Sequence, residues 1–514
     1  MKKLFSLLII TALSLSLCSC DALDGIKGIF APDNDDEQTA AEPAPPGEIT
    51  AGMTDFDIYN PLTTSSDTVS DICGFIFEPL FGMDVNMHIY GVLASSYEPD
   101  SDGRGMTIHL KQGVFWHDGR DFVAADAVYT TNMIKNGGTR YDKLVEPIES
   151  IWAVDNYTVY ARFRRAVPNG AALFTFPIIR NGSMWETMPI GTGPFYMDYK
   201  GDLAAYDWHF GEKAAIDKIK IKQIPNMQKL LSLFDASVID YASSEILDFS
   251  NYMPKSNSRV VDYVSNDMVF VGFNTLSAVF SDTAARRAVS YLIDRDNIVS
   301  NIYYSRAAAS EYAINPSSYA AFDASKRHGA DSDAAVMLLD EAGWKPNNNG
   351  VYVKTGKGTY FSVRILVNSE SEERVRIAEE LAEGMTALGM RAVVDKCGAA
   401  AFSSRLDAKN YDMFIGETEL LPGGDITPLA ATGYNCMGYS DAAVDTILAQ
   451  LGTLNSEEDI SSVSQMLYTK LWEDSPFAVI CFLKRGIAVT SRLVWGVEPS
   501  VTGYVRYTEG WYVQ

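Results

Sequence analysis

The stretch from Met106 to Lys135 decides the fold; it reads MTIHLKQGVFWHDGRDFVAADAVYTTNMIK. Apolar and polar residues alternate over 106–110, a pattern typical of a half-buried strand. Gly113 ends the alternation. Asp118-Gly119 predicts a tight turn, because glycine tolerates positive φ and aspartate hydrogen-bonds its own backbone. From Asp126 onward apolar residues recur at helical spacing, so the stretch predicts a strand, a loop, a turn and a helix.

The polar residues of that loop have a structural interpretation. Trp116, His117 and Asp118 are typical of a packed aromatic side chain beside a polar turn. A metal or catalytic role for His117 lacks a partner, because the five histidines stand at 88, 109, 117, 209 and 328 and no two have ligand spacing. None of the six cysteines forms a Cys-x-x-Cys pair, so no structural zinc site is predicted. Cys73, Cys397, Cys436 and Cys481 are expected as buried free thiols, with disulfide pairing outside the cytoplasm as the alternative.

This stretch resembles the signature of the family 5 extracellular solute-binding proteins of ABC importers, which include oligopeptide- and dipeptide-binding proteins. The matching residues are Leu110, Gly113, Val114, Trp116, His117, Asp118, Gly119, Phe122, Ala124 and Asp126. Lys111 replaces the family's arginine, and Val123 replaces a threonine that would cap the helix. The lost cap costs about 1 kcal/mol if no other group replaces it.

Other segments extend the resemblance over roughly residues 55 to 500. Gly191-Thr-Gly193-Pro194-Phe195 is similar to the family's Gly-Thr-Gly-Pro turn; it is not a phosphate loop, since no Lys-Ser/Thr follows. Phe270–Thr275 predicts a short apolar strand that contains the family's Asn274. Arg286 lies in a predicted helix that begins at Asp282, and it matches the arginine of the family's pattern there.

The pattern of residues 341–395 predicts α/β structure independently of the family resemblance. The pattern predicts a βαβ unit. Its parts are a strand over Tyr360–Val367, an apolar helical face from Val375 to Leu388 with a C-cap candidate at Gly389, and a strand over Arg391–Asp395. Such a unit implies a parallel strand pair with a right-handed crossover. Tyr411–Ile415 predicts a further buried strand.

The resemblance implies an α/β, two-lobed periplasmic-binding-protein-like fold of the class II type, with three domains and a central ligand cleft. Residues 49–80, 189–268 and 488–514 would form a discontinuous domain I. Residues 81–188 would form an inserted domain II, and residues 269–487 would form domain III, the distal lobe. The cleft would close on its ligand by a hinge motion.

The N-terminus has the pattern of a targeting segment. Lys2-Lys3 precedes an apolar run that is too short to span a bilayer, and the following Cys18-Ser19-Cys20 resembles a bacterial lipobox. Residues 1–19 are predicted as a lipoprotein signal peptide and Cys20 as the lipidated residue; Cys18, or an ordinary cleaved signal, is the alternative. Two acyl chains give stable anchoring.

Residues 20–48 predict a disordered tether, because they are polar and rich in helix- and strand-breaking residues. A tether of this length reaches roughly 30 Å at ~5–6 Å × √n. The protein is therefore expected outside the cytoplasm, anchored to the outer face of a bacterial cytoplasmic membrane through Cys20 only.

Charge and motifs narrow the function further. The net charge of −24 over 514 residues argues against a nucleic-acid partner. The chain lacks the Gly-x-Ser-x-Gly, His-Glu-x-x-His and Walker sequences, so we expect no enzyme activity and no cofactor. Abundant Asp and Glu leave a secreted hydrolase as a remote alternative.

The predicted ligand residues are Asp425, Gly424 and Asn435. Peptide-binding members of the family carry an Asp before a Pro, which pairs with the ligand's α-ammonium group, and Asp425 precedes Pro428 here. Pro422 stands where those members have Trp, and an Asx-turn aspartate is the alternative. We therefore expect a monomeric receptor that delivers a small solute, foremost a peptide, to an ABC transporter permease. A nickel chelate, haem or oligosaccharide is the alternative ligand.

Overall fold

A computed structural model describes residues 47–245, 257–323 and 327–493. Its strands are β1 (Glu48–Met53), β2 (Phe81–Met83), β3 (Ile89–Gly91), β4 (Ala94–Pro99), β5 (Gly105–Leu110), β6 (Ile148–Asp155), β7 (Thr158–Phe163), β8 (Phe195–Met197), β9 (Leu203–Ala205), β10 (Lys218–Gln223), β11 (Tyr241–Glu245), β12 (Ser258–Phe273), β13 (Ala307–Ala309), β14 (Trp344–Pro346), β15 (Tyr352–Lys354), β16 (Ser362–Asn368), β17 (Arg391–Cys397), β18 (Met413–Glu419) and β19 (Phe477–Thr490).

The helices complete the described architecture. They are α1 (Asp67–Cys73), α2 (Ala124–Lys135), α3 (Asp142–Val145), α4 (Met227–Asp235), α5 (Thr283–Tyr291), α6 (Arg295–Asn297), α7 (Ser332–Glu341), α8 (Glu372–Ala387), α9 (Ala399–Asp407), α10 (Thr427–Ala430), α11 (Ala442–Leu451) and α12 (Glu457–Asp474). A short 3₁₀ segment covers Gly170–Phe174, and a π-helical turn covers Ile298–Ile302.

One mixed sheet runs through the molecule in the order β17-β16-β18-β12-β19-β11-β1-β10-β9-β8, with β13 also paired to β19. The long antiparallel strands β12 and β19 lie at its centre and join two lobes. We call residues 47–245 the first lobe and residues 274–476 the second lobe. A separate antiparallel sheet, β4-β5-β7-β6, belongs to the first lobe.

Where the sheet enters the second lobe it is buried on both faces. Val271, Ile365 and Ile415 pack in one apolar cluster, whereas their strand neighbours Leu366 and Phe414 pack in another. Successive side chains of a strand point to opposite faces, so a continuous apolar run is what such a strand requires.

A β-bulge interrupts β12 near its middle. Residues up to Val264 pair in register with β19 as far as Lys484, and pairing resumes at Met268 with Phe482. Ser265, Asn266 and Asp267 therefore stand opposite the single residue Leu483. A bulge bends its strand and redirects its side chains. The prediction of a short strand at 270–275 was wrong in extent, because β12 has 16 residues.

The signature stretch folds as predicted, with β5, a turn in which Gly119 has φ +82°, and α2. Trp116 is fully buried, which confirms the packed-aromatic interpretation. The carboxylate of Asp126 accepts hydrogen bonds from Trp116 Nε1 (3.2 Å), from Val123 N (2.9 Å) and from Asn181 N (2.8 Å). Asp126 thus binds the N–H group at the helix start where Val123 offers no side-chain acceptor. Burial raises the pKa of Asp126.

His117 connects the signature stretch to the Gly-Thr-Gly segment. Its Nδ1 accepts a hydrogen bond from Gly191 N (3.2 Å), and its Nε2 donates to the carbonyl oxygen of Gly193 (2.9 Å). These two bonds require the neutral ring. Burial accordingly lowers the pKa of His117 to about 4. Position 191 requires glycine, because the Cβ of any other residue would lie 1.7 Å from the carbonyl oxygen of Ile76.

The remaining signature residues also have structural contacts. Asp118 forms an ion pair with Arg180 at 3.1 Å. Asn274 donates from Nδ2 to the carbonyl oxygens of Lys409 and Tyr411, and buried Arg286 donates to those of Phe280, Asp474 and Ser475. Pro194 leads into β8. These contacts bind loops to helix and strand ends, since buried carbonyl groups need donors.

The predicted βαβ unit is present as β16-α8-β17. The two strands run parallel, with Ser362 opposite Arg391, and β18 extends the parallel set. Ser371 caps α8 by accepting a hydrogen bond from Arg374 N (3.3 Å), and Gly389 follows the helix end with φ +89°.

Several predictions stay untested by the described part of the chain. Cys20, the signal peptide and most of the tether lie outside the described residues, as do residues 494–514 of the predicted domain I. The boundary predicted at 268/269 falls inside β12, and the three-domain division stays a prediction. Cys73, Cys397, Cys436 and Cys481 are free thiols.

Candidate functional site

A cavity of about 320 Å³ lies beside the bulge of β12. The first lobe lines it with the start of α1 and with residues 140–144. The second lobe lines it with residues 419–422, at the end of β18 and just beyond it. The bulge residues 265–267 and Arg485 of β19 complete the wall. The cavity therefore lies where the two lobes meet the strands that join them.

Opposite charges pair along this wall. Arg140 donates to Asp67 at 2.6 Å, and Arg485 lies 3.2 Å from Asp267. Ser265 also donates its hydroxyl hydrogen to Asp267 at 2.8 Å. The bulge thus directs a carboxylate towards the cavity and holds it with two partners.

Glu419 lies at the end of β18, directly opposite Asp267 in the antiparallel register. Its side chain is accessible from the cavity, although protein surrounds it. Burial raises the pKa of Glu419, and the charge of Asp267 raises it further. Lys143 is an exposed cation on the same cavity wall. The site therefore combines an acidic pair with basic side chains from the first lobe and from β19.

The predicted ligand residues lie around a separate contact, the ion pair between Asp425 and Arg165. Asp425 is 3% exposed; its carboxylate forms an ion pair with Arg165 at 2.5 Å and accepts a hydrogen bond from Thr427 N at 3.0 Å. The second bond is the Asx-turn geometry that the sequence left open. Gly424 precedes it with φ +77°, and Asn435 is buried with its amide bonded to the carbonyl oxygens of Ala431 and Tyr439. Their role in ligand binding stays a prediction.

Arg165 and Asp425 belong to different lobes, and other contacts also join the lobes. His88 lies 2.8 Å from Glu457 and stacks on Tyr319 with ring centroids 5.1 Å apart. A Cβ on Gly103 would lie 1.9 Å from the carbonyl oxygen of Gly452. The lobes therefore contact each other closely at several places outside the cavity wall.

The described part of the chain offers neither a cluster for a metal ion nor a helix that could span a membrane. Residues 47–245, 257–323 and 327–493 contain no group of three or more His, Cys, Asp or Glu side chains arranged for a metal ion. Among the helices of these residues, none combines the length and the hydropathy needed to cross a bilayer.

The sequence did not single out the cavity residues Asp67, Arg140, Lys143, Asp267, Glu419 and Arg485. A signal was present at one place: the polar triplet Ser265-Asn266-Asp267 stands between Tyr263-Val264 and the apolar run that starts at Met268, as a bulge would. The others are charged residues of ordinary spacing, and only the sheet register brings them together.

A two-lobed α/β protein with a ligand-sized, charged cavity between its lobes has the architecture of a solute-binding receptor. Residues 88–431 match the model described as bacterial extracellular solute-binding proteins, family 5 Middle. The chain belongs to this family of bacterial extracellular solute-binding proteins. Members bind peptides or other solutes and work with ABC transporter permeases.

Individual relatives cover nearly the whole chain. The oligopeptide-binding protein AppA of Bacillus subtilis is 22% identical over 95% of this chain and 94% of its own. The glutathione-binding protein GsiB of Pectobacterium atrosepticum is 24% identical over 88% and 89%. The structure of HbpA2 from Haemophilus parasuis superposes with a TM-score of 0.79 at 17% identity, over 91% of this chain and 100% of that chain. The predicted fold class is confirmed.

Proposed function

We propose that this protein is a lipid-anchored receptor that captures a compact solute, foremost a short peptide, between its lobes and delivers it to an ABC transporter permease. The observation that carries the proposal is the cavity of about 320 Å³ with carboxylates and cationic side chains on its wall. Peptides carry charges of both signs at their ends, and such a wall offers partners for both. It is a receptor and not an enzyme.

The relatives support a peptide ligand by their names, since one is called oligopeptide-binding and another glutathione-binding. The size of the cavity favours the shorter peptides, because about 300 Å³ is the lower end of the range for ligand pockets. A nickel chelate, haem or an oligosaccharide is the competing ligand class. We expect the lobes to close around the solute by bending at β12 and β19, the strands that join them. The division into three domains predicted from the sequence is part of this proposal.

A thermal-shift screen tests the ligand class. We expect peptides of two to eight residues to raise the unfolding temperature, because a ligand at 100 times its Kd adds about 2.7 kcal/mol to the free energy of unfolding. Nickel–histidine, haem and an oligosaccharide set serve as competing ligands. A shift with one of these and none with any peptide would reject the peptide proposal and keep the receptor role.

A further inference from the structure

Two charged side chains of the cavity wall have no polar partner within the described residues. The side chains of Glu419 and Lys143 form neither a hydrogen bond nor an ion pair with any residue in the ranges that the structure describes. Their neighbours differ, since Asp67 is paired with Arg140 and Asp267 with Arg485. A carboxylate and an ammonium group are thus available for a ligand.

The position of Glu419 is electrostatically unfavourable without a ligand. It stands opposite Asp267 across the β12–β18 pair, and like charges in directly opposite positions destabilise a sheet. Arg485 forms its ion pair with Asp267 and not with Glu419. A cation placed at Glu419 would relieve this repulsion.

We propose that Glu419 binds the cationic group of the solute and Lys143 its anionic group, so that the cavity selects a compact zwitterion with a primary ammonium group. This assignment rests on the receptor role proposed above and specifies its substrate class. The cavity volume of about 320 Å³ lies at the lower end of the range for ligand pockets, which favours a compact solute. A free amino acid or a dipeptide has this size.

Asp425 is less suited to the ammonium group in this geometry. Its carboxylate already has a guanidinium partner, Arg165 at 2.5 Å, and a backbone donor, Thr427 N. A ligand ammonium group would have to displace Arg165 and leave that cation without its partner, which costs several kcal/mol for a buried pair. Glu419 requires no such exchange.

The titration of Glu419 agrees with this assignment. Its pKa is raised by burial and by Asp267 of β12, and it is lowered by Arg485 of β19 and by Lys143 and Arg140 of the first lobe. A bound ammonium group would lower the pKa again, so binding would release protons at a pH near the raised value. The affinity is then expected to fall as the solution is acidified through that range.

Calorimetric titration of the purified protein tests the proposal. The probes are alanyl-alanine, N-acetyl-alanyl-alanine and alanyl-alanine amide. We expect Glu419→Gln to weaken binding of alanyl-alanine by about 30-fold or more, and to change binding of the acetylated probe by less than about threefold. Lys143→Gln should weaken alanyl-alanine but leave the amide unchanged.

Two variants serve as controls. Glu417→Gln changes the same strand two residues away, where the carboxylate pairs with Arg374 and does not line the cavity; it should leave affinity unchanged. Asp425→Asn tests the alternative ammonium partner. The unfolding temperature without ligand separates binding from structure: Glu419→Gln should keep or raise it, because it removes repulsion, whereas a structural glutamate would lower it.

The outcomes are distinct. Equal losses for free and acetylated dipeptide, or a selective loss in Asp425→Asn instead of Glu419→Gln, would overturn the assignment of Glu419 and leave the receptor proposal standing. Binding of nickel–histidine or haem with no binding of alanyl-alanine would overturn the zwitterion class. Absence of binding for every probe, with a thermal shift for longer peptides, would overturn the compact-zwitterion class and the assignment of Glu419 and leave the peptide-receptor proposal standing.

Discussion

At the scale of single residues, the ion pair between Arg165 and Asp425 is the most consequential contact outside the cavity. It joins the two lobes, and Asp425 is nearly inaccessible to water. Without Arg165, the buried carboxylate of Asp425 would have only the Thr427 N–H and any solvent that reaches the site as partners. Breaking one side of a buried pair costs about 3–5 kcal/mol.

Arg165→Met should therefore lower the free energy of unfolding by up to about 3–5 kcal/mol in chemical denaturation. Arg164→Met is the matched control, because Arg164 is exposed and should change stability by less than about 0.5 kcal/mol. The double variant with Asp425→Asn should recover part of the loss. Equal, small effects of Arg165→Met and Arg164→Met would show that the pair does not stabilise the lobes.

The signature residues could be found from the sequence, and the cavity residues could not. Trp116, His117 and Asp126 stand in a contiguous pattern, and their contacts proved structural. Glu419 and Asp267 are 152 positions apart and become neighbours only through the β12–β18 register. Sequence spacing carries no information about such a pair. Asp425 could be located, but its partner Arg165 could not.

At the scale of elements, the Gly-Thr-Gly segment is held against the end of α1. Gly191→Ala should lower the free energy of unfolding by more than about 2 kcal/mol, because the added Cβ would lie 1.7 Å from the carbonyl oxygen of Ile76. Gly384 in α8 is the comparison. Nothing lies within 4 Å of a Cβ there, so Gly384→Ala should stabilise by about 0.5–1 kcal/mol. Similar effects of both changes would contradict this account.

The βαβ unit and the signature strand and helix were predicted because their periodicity is local. β12 was underestimated, since Ser265, Asn266 and Asp267 break the apolar run and hide the continuity of the strand. Its apolar segments alone would not form one 16-residue strand; pairing with β19 provides the bonds that continue it across the bulge. Tertiary pairing thus decided the extent of this element.

At the scale of the whole molecule, the proposed lipid anchor would hold the receptor beside its permease. Cys20→Ala should release the protein from the membrane fraction of intact cells, because one signal-derived anchor is its only proposed membrane contact. Cys18→Ala is the control and should leave the protein in that fraction. Retention of the Cys20 variant, or release of the Cys18 variant, would contradict the assignment; fractionation and immunodetection measure both.

The central claim is that a compact zwitterion binds in the cavity between the lobes. A crystal structure of the protein with a dipeptide identified by titration tests it most directly. We expect ligand density inside the wall formed by residues 140–144, 265–267 and 419–422, with the ammonium nitrogen about 3 Å from the Glu419 carboxylate. A ligand bound elsewhere, or an ammonium group paired with Asp425 in place of Arg165, would contradict it.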